Sequence, residues 1–202
     1  MRFLFFGLIL FVFTACDEPK QNKVITTSSG KVHPAASRES HKFYDWWIAQ
    51  EKRDVHLNDQ LRNKLMNKRD ASELRKYLAK NGINAKVFGN IEDSIKLMEY
   101  RSFDKASIQS KVLWIDQNRL RGCRKIGKEA MWDCLRQDYQ ISDYYYVSSP
   151  IFSSDKLWAI ASINYMEVSG DKSNGATRLF KRLENNTWKE VAILTYWGHF
   201  EE

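Results

Sequence analysis

The spacing of apolar residues changes along the chain from a helical period to a strand period. Between residues 40 and 53, apolar side chains recur three or four positions apart, which predicts a first helix with a tryptophan-rich buried face. Leucines then recur at every fourth position, at Leu57, Leu61 and Leu65, and this spacing predicts a second helix. The first part of the chain is therefore expected to be helical.

A third predicted helix carries start and stop signals. Asp70 is followed three residues later by Glu73, as in a capping box, and Asn81-Gly82 is typical of a helix end. The apolar face of this helix consists of Leu74, Tyr77 and Leu78. These signals predict a helix with both ends defined by its own residues.

Two more elements are predicted before the pattern changes. Residues 111–115 read as a strand, and residues 124–138 read as a helix. The apolar residues of that helix are Ile126, Ala130, Met131 and Leu135. The segment between 83 and 110 has no sustained period: Ile83, Ala85 and Val87 alternate briefly, and residues 93–101 are a candidate for a further helix.

From Tyr144 onward, apolar residues alternate with polar ones. The four alternating runs are Tyr144–Phe152, Leu157–Val168, Ala176–Leu183 and Trp188–Trp197. Because the polar segments between them are short, the runs predict a four-stranded antiparallel meander. Helices followed by strands favour an α+β fold class, with the N-terminal helices packed on one face of the meander. By analogy alone, this arrangement suggests a small cone of the NTF2-like sort.

The amino terminus is organised like an export signal. Arg2 precedes an apolar run, Phe3 to Phe13, that as a helix would span only about 16 Å, short of a membrane's hydrocarbon core. The next residues, Phe13-Thr14-Ala15-Cys16, resemble the lipobox of bacterial lipoproteins, although Phe13 stands where leucine is usual. The resemblance implies that residues 1–15 are a signal peptide and that Cys16 is lipidated.

Two other interpretations of this segment stay open, namely a plain secretory signal cleaved near Ala15 and a core helix. The polar, proline-containing residues 16–39 predict a flexible tether. Residues 40–202 are then expected to form a single α+β domain, which suits the chain length. The expected location is the cell envelope, with the chain lipid-anchored to the inner or the outer membrane and either periplasmic or surface-exposed.

The carboxy-terminal half also resembles a pattern in uncharacterised bacterial lipoproteins of unknown function. The matching segments are Ser149-Pro150-Ile151-Phe152, Asp155–Ala159, Gly175–Leu179 and Glu184–Lys189. Asn186-Thr187 departs from the Asn-Gly that this pattern usually has at its last turn. Turn residues and core aromatics of this kind specify hairpins, so the resemblance implies a fold and no particular reaction.

Charge gives the chain a basic character. It has 32 Lys+Arg against 25 Asp+Glu, a formal net charge of +7. One basic cluster consists of Arg119, Arg121, Arg124, Lys125 and Lys128, and a second of Arg62, Lys64, Lys68, Arg69, Arg75, Lys76 and Lys80. An exported chain does not meet the cell's nucleic acid, so we expect no nucleic-acid partner. The first cluster is either a solvated face or a contact for an anionic surface, such as lipid headgroups, lipopolysaccharide or a cell-wall polymer.

Two cysteines remain besides Cys16, and an oxidising compartment favours their pairing. In one straight helix Cys123 and Cys134 would lie about 16 Å apart, whereas a disulfide needs Cα atoms within about 7 Å. A bridge therefore requires the chain to turn back, which Gly122 or Gly127 would permit. Two buried thiols, and a metal or redox role, are the alternatives.

No sequence motif identifies a reaction or a cofactor. The histidines are His33, His41, His56 and His199. None has the spacing of zinc ligands, and only His199 is expected near the mouth of the sheet. The nucleophile elbow, the P-loop and the dinucleotide-binding glycine motif are absent, and Asp133, Asp138 and Asp143 do not share one helical face. The sequence therefore predicts no catalytic residue, no metal ligand and no cofactor.

The strand-rich part is unusually aromatic, with residues that alternate between the two predicted sheet faces. They are Tyr144, Tyr145, Tyr146, Trp158, Tyr165, Trp188, Tyr196 and Trp197. Those on a face without helices could line a ligand cleft, although a filled core is the commoner arrangement.

Together these features favour a non-enzymatic binding or interaction module of the cell envelope. Its expected partners are the membrane, through the lipid, and an envelope protein or an anionic polymer. The alternatives are an envelope hydrolase with its site in a cone-shaped cavity, and a partner-specific inhibitor or immunity-type protein.

Overall fold

The computed structural model has an α+β fold. It describes residues 36–62, 68–89, 101–170 and 172–198, and within these ranges it contains four α-helices and a mixed, mostly antiparallel sheet of seven strands. The helices are α1 (Arg38–Gln50), α2 (Lys68–Lys80), α3 (Gln117–Ile126) and α4 (Lys128–Cys134). The remaining helical turns are a π-helical turn at Leu135–Tyr139 and 3₁₀ turns at Ala85–Phe88 and Lys105–Ser107.

The strands form one large sheet and one small ribbon. They are β1 (Val55–Asn58), β2 (Gln60–Leu61), β3 (Arg101–Ser102), β4 (Val112–Ile115), β5 (Asp143–Val147), β6 (Ile151–Phe152), β7 (Trp158–Glu167), β8 (Asn174–Arg182) and β9 (Trp188–Gly198). The large sheet has the order β4-β1-β5-β7-β8-β9, with β6 next to β5 along the length of β7. β1 is parallel to β4 and to β5, and the other pairs are antiparallel.

The predicted meander is confirmed and forms one part of the sheet. Its first run is divided into β5 and β6, and the other three runs correspond to β7, β8 and β9. The turn between β8 and β9 is closed by Asn186, which adopts a left-handed φ of 62° that asparagine tolerates. Asn186 therefore supplies the left-handed backbone conformation that this turn requires.

The predicted strand count of four is too low, because two parallel strands extend the sheet beyond β5. The strand predicted at 111–115 is confirmed as β4. The predicted second helix is wrong in its described part, since Leu57 lies in β1 and Leu61 in β2. Val55 and Leu57 are buried on either side of a partly exposed His56, so burial here alternates with the period of two that is typical of a strand. Leu65 lies outside the described residues.

The helix predicted over 40–53 is confirmed as α1, which begins slightly earlier. Ser37 caps it, since its hydroxyl oxygen accepts a hydrogen bond from the backbone N–H of Ser40 at 3.1 Å. The stop predicted for the third helix is also confirmed, because α2 is followed by Gly82 with a φ of 66° and the Ile83 N–H bonds the Leu78 carbonyl.

Two details of the predicted helices are wrong. Asp70 does not cap α2 but lies within its first turn, fully buried, where its carboxylate accepts a hydrogen bond from the Thr195 hydroxyl of β9. The single helix predicted over 124–138 is two helices, α3 and α4, which are divided by an extended residue at Gly127. The break leaves Ile126 81% exposed, so it is not part of the apolar face that its spacing suggested.

Helices cover both faces of the sheet, not one as expected. On one face, here called the α1 face, Phe43, Tyr44 and Trp47 of α1 pack against a core that includes Tyr145 and Phe180. On the opposite face, here called the cavity face, α2 packs against β7, β8 and β9, while α4 packs against β5. The reason is that neighbouring strand residues, such as Tyr144 and Tyr145, are both buried, so each face needs a cover.

Candidate anion-binding cavity

A disulfide joins the two helices that border the candidate site. Cys123 of α3 and Cys134 at the end of α4 are bonded, with their Cα atoms 6.4 Å apart. This distance is possible because the chain turns back at Gly127, as the sequence required for a bridge. Of the three alternatives for these cysteines, the structure has the disulfide. The bridge fixes α3 against α4.

A cavity of about 340 Å³ opens on the cavity face beside this helix pair. Its lining residues are Arg62, Arg124, Lys128, Met131, Trp132, Tyr144, Tyr146 and Met166. Three of them are cationic and none of these lining residues is acidic. The volume lies in the lower part of the range of ligand pockets. The cavity is here called the basic aromatic cavity.

The floor of this cavity comes from alternating strand residues. Tyr144 and Tyr146 lie two positions apart on β5, and Met166 of β7 is the cross-strand partner of Tyr144. The ring of Trp132, from α4, lies 5.9 Å from the Tyr144 ring, and the two tyrosine rings are 6.3 Å apart. A strand period and one helix therefore bring the aromatic rings together.

Arg62 reaches the cavity from the segment that follows β2. Its guanidinium carbon lies 3.9 Å from the centre of the Tyr146 ring, which is a cation–π contact. Its backbone is bound on both sides, since its N–H donates to the Val147 carbonyl at 2.8 Å and its carbonyl accepts from the Ser149 N–H at 3.1 Å. Arg62 is therefore held in position by the sheet.

The other two cations come from the disulfide-linked helices. Arg124 is in the last turn of α3, a helix that Asp116 caps by accepting hydrogen bonds from the N–H groups of Asn118 and Arg119. Lys128 is the first residue of α4. Neither side chain has an acidic partner within the described part of the chain. Their charges are therefore available for an anionic ligand.

The pKa values of the two cavity tyrosines depend on both their burial and the nearby cations. Burial raises the pKa of Tyr144, and the charges of Arg62 and Arg124 lower it by less. Burial likewise raises the pKa of Tyr146, and the charges of the same two arginines lower it by less. Both phenols therefore stay neutral at ordinary pH and are available as hydrogen-bond donors.

One polar atom of the lining has no partner. Trp132 is only 4% exposed, and its Nε1 has no hydrogen-bond partner among the described residues. A buried donor without an acceptor is unfavourable by about 1–3 kcal/mol.

The predicted basic cluster is divided by the structure. Arg124 and Lys128 line the cavity, whereas Arg121 and Lys125 do not. Arg119 is bound to Asp138, with Nε 2.6 Å from a carboxylate oxygen. Sequence reasoning missed Trp132 and did not join Arg62 to this cluster. The advance signals for the site were the basic cluster itself and the two-residue spacing of Tyr144 and Tyr146.

A second polar cluster lies where β1 meets β5. The Nδ1 of His56 is 2.6 Å from one carboxylate oxygen of Asp143, and the other oxygen accepts a hydrogen bond from Tyr165 at 2.9 Å. Burial, together with the hydrogen bond to Asp143 and the charge of that carboxylate, raises the pKa of Tyr165 to about 12. The cluster links a parallel strand to the meander, and the sequence did not predict it.

Some predicted features are outside the described residues, namely Cys16, His33 and His199. Among the residues that are described, no group of three or more His, Cys, Asp or Glu side chains has a geometry that could hold a metal ion. No helix in the described ranges combines the length and the apolar character needed to cross a membrane. No family model, curated protein or solved structure matches the chain.

Proposed function

We propose that the chain is a lipid-anchored binding protein of the bacterial cell envelope that holds an anionic ligand in the basic aromatic cavity. The observation that carries the proposal is the lining, in which three cations surround an aromatic floor and no lining residue is acidic. A cationic site over neutral aromatic rings suits a ligand with a negative group attached to a less polar body.

Two features support the location. The segment Phe13-Thr14-Ala15-Cys16 resembles a lipobox, and residues 16–39 have the composition of a tether. A disulfide between Cys123 and Cys134 is compatible with an oxidising compartment outside the cytoplasm. Replacement of Cys16 by serine should release the protein from the membrane pellet on fractionation, and its persistence there would contradict the anchor.

Anion binding is tested with pyrophosphate as the probe and the full-length protein in detergent. We expect Arg124→Gln and Lys128→Gln each to weaken binding about tenfold, because each removes a charge-assisted hydrogen bond worth at least about 1.4 kcal/mol. Lys125→Gln is the matched control, since Lys125 is exposed on α3 and does not line the cavity. Equal effects of Lys125→Gln and Arg124→Gln in calorimetric titrations would contradict the site.

The alternatives stay predictions. An envelope hydrolase within an NTF2-like cone would need a substrate next to a proton-transferring group, and the one described imidazole–carboxylate pair is that of His56 and Asp143. A partner-specific inhibitor or immunity-type protein would be recognised by a stoichiometric protein partner in a crosslinking pull-down from native membranes.

A further inference from the structure

A row of four cross-strand partners begins at Tyr146, which lines the basic aromatic cavity, and crosses the sheet away from it. Tyr146 of β5 pairs with Asn164 of β7, Asn164 pairs with Gly175 of β8, and Gly175 pairs with Trp197 of β9. Directly paired residues point to the same face of a sheet, so the row lies on the cavity face. With strands about 4.8 Å apart, the row extends about 14 Å from Tyr146 to Trp197. It is here called the Tyr146–Trp197 row.

Trp197 is the last residue of this row, and its indole reaches back over Gly175 to Asn164. Gly175 leaves room for it, because a Cβ at that position would lie 2.4 Å from the Trp197 Nε1. That Nε1 donates a hydrogen bond to Asn164 Oδ1 at 2.7 Å. Asn164 is 2% exposed, and its amide nitrogen donates to the Tyr146 carbonyl. The indole is therefore held by Gly175 and Asn164, the two middle residues of the row.

Although Trp197 is fixed, 42% of its surface is exposed. Its single polar atom is already bonded, so what it offers to solvent is the apolar surface of a rigid ring. A large, rigid aromatic side chain gives contact area with little loss of conformational entropy on binding. Such a surface suits a flat ligand group with an apolar face and polar edges.

The two ends of the Tyr146–Trp197 row differ in chemistry. The Tyr146 end has the cations Arg62, Arg124 and Lys128, and the Trp197 end has the exposed indole. Between the two ends, Gly175 lies beneath the indole and the Asn164 amide is buried, so the indole itself covers the middle of the row. The face of a sugar ring carries C–H groups that pack on an aromatic ring, while its acidic substituents bind arginine and lysine.

We propose that the ligand is a short acidic oligosaccharide that lies along the Tyr146–Trp197 row. One sugar ring packs on Trp197, and a carboxylate or phosphate of a neighbouring sugar binds Arg62, Arg124 and Lys128. The inference rests on the proposed function, since it identifies the class of the anionic ligand. A free anion would use only the cavity, whereas an acidic sugar chain uses the cavity and the indole.

The test compares three soluble probes on the full-length protein in detergent: trigalacturonate, its methyl ester and pyrophosphate. We expect trigalacturonate to bind more tightly than the other two, because only it offers both sugar rings and charges. Trp197→Ala should weaken the binding of trigalacturonate about tenfold and leave the affinity for pyrophosphate unchanged. The tenfold loss corresponds to an aromatic contact of about 1.4 kcal/mol. The unchanged pyrophosphate affinity also shows that the variant is folded.

Ile193→Ala is the matched control on the same strand. Ile193 is 50% exposed, but it pairs with Arg178 across a register shift and so lies on the other face. Trp197→Phe is a second variant that keeps a ring and loses the bond to Asn164, and we expect an intermediate, two- to fivefold loss.

The outcomes separate this inference from the proposed function. If pyrophosphate binds and trigalacturonate binds no better, the saccharide inference is wrong while anion binding stands. If Trp197→Ala and Ile193→Ala have the same effect on trigalacturonate, the role of the row is overturned. If neither pyrophosphate nor trigalacturonate binds, the proposed function itself fails.

Discussion

The two faces of the sheet are built from the same strands but are filled in different ways. On the α1 face, the fully buried Phe43 has the rings of Trp46, Phe152, Phe180 and Trp188 around it at 5.0 to 6.3 Å. On the cavity face, α2 and the α3–α4 pair cover separate groups of strand residues. A cavity of about 340 Å³ with three cations borders the α3–α4 pair.

This difference shows how one sheet can separate stability from binding. One helix with aromatic residues at helical spacing closes the α1 face. The cavity face has arginine and lysine where a close-packed face would have apolar residues, and these cannot be buried without partners. We therefore expect substitutions on the α1 face to change stability, and substitutions around the cavity to change affinity.

The largest expected effect is on the α1 face. Phe43→Ala should lower the free energy of unfolding by about 3–5 kcal/mol, because it leaves a void among packed rings. Tyr146→Ala should lower it by less than half of that, since Tyr146 lines a cavity that is already open. Denaturant unfolding of both variants measures the difference. Losses of equal size would show that the cavity face is packed as tightly as the α1 face.

The next largest effect concerns the disulfide of the cavity face. Replacing Cys123 and Cys134 together by serine should lower the free energy of unfolding by roughly 2–3 kcal/mol, the value for a loop of this length. Pyrophosphate affinity should fall as well, because the bridge holds Arg124 near Lys128. Addition of a reductant to the unchanged protein is the control and should reproduce both losses. Unchanged affinity in the serine variant would mean that the cations are positioned without the bridge.

A smaller loss of stability is expected when the pH is lowered, because His41 on the α1 face then takes up a proton. Burial lowers the pKa of His41 from 6.5, although the charge of Asp104 opposes this, and the neutral Nε2 accepts the Asp104 backbone N–H at 2.9 Å. The unfolded chain therefore binds the proton more readily than the folded one. The stability that neutral His41 contributes is present above pH 6.5 and is lost as the pH falls through the pKa of His41 in the folded protein.

Melting temperatures between pH 7.5 and 5 measure this loss. His41→Gln should flatten the dependence, because the glutamine oxygen accepts a hydrogen bond without taking up a proton. A variant with the same slope as the unchanged protein would assign the acid sensitivity to another group.

The smallest effect is expected at Arg119, the member of the basic cluster that is bound to an acid. A hydrogen bond from Arg119, together with its charge, lowers the pKa of Asp138, and both side chains are solvent-exposed. Exposed pairs of this kind contribute little to stability. Arg119→Gln should therefore change neither the melting temperature nor pyrophosphate affinity. A loss comparable to that of Arg124→Gln would extend the binding surface along α3.

Much of the fold follows from local patterns. The alternation after Tyr144 predicted the meander, the glycine at position 82 predicted the end of α2, and a helical period predicted α1. The wrong predictions also come from local patterns. Leu57 and Leu61 fit a four-residue spacing by chance, and only the pairing of β1 with β4 and β5 made an extended conformation favourable there.

The candidate site was less accessible to sequence reasoning, because its residues are far apart in the chain. Arg124 and Lys128 could be identified as a basic cluster and Tyr144 and Tyr146 as one face of a strand. Their meeting with Arg62 depends on how the segment after β2 pairs beside β5, which no local period encodes. The same is true of Trp197, whose position depends on Gly175 and Asn164 in two other strands.

The sequence by itself determined the elements whose cause is local: the helical period of α1, the glycine that ends α2, and the strand period and turns of the meander. Only the tertiary structure decided that helices cover both faces of the sheet, that Cys123 meets Cys134, and that cations and aromatic rings from distant segments share a cavity. The physical reason is that hydrogen-bond and rotamer preferences act over a few residues. Which surfaces are buried against each other depends instead on the packing of the whole domain.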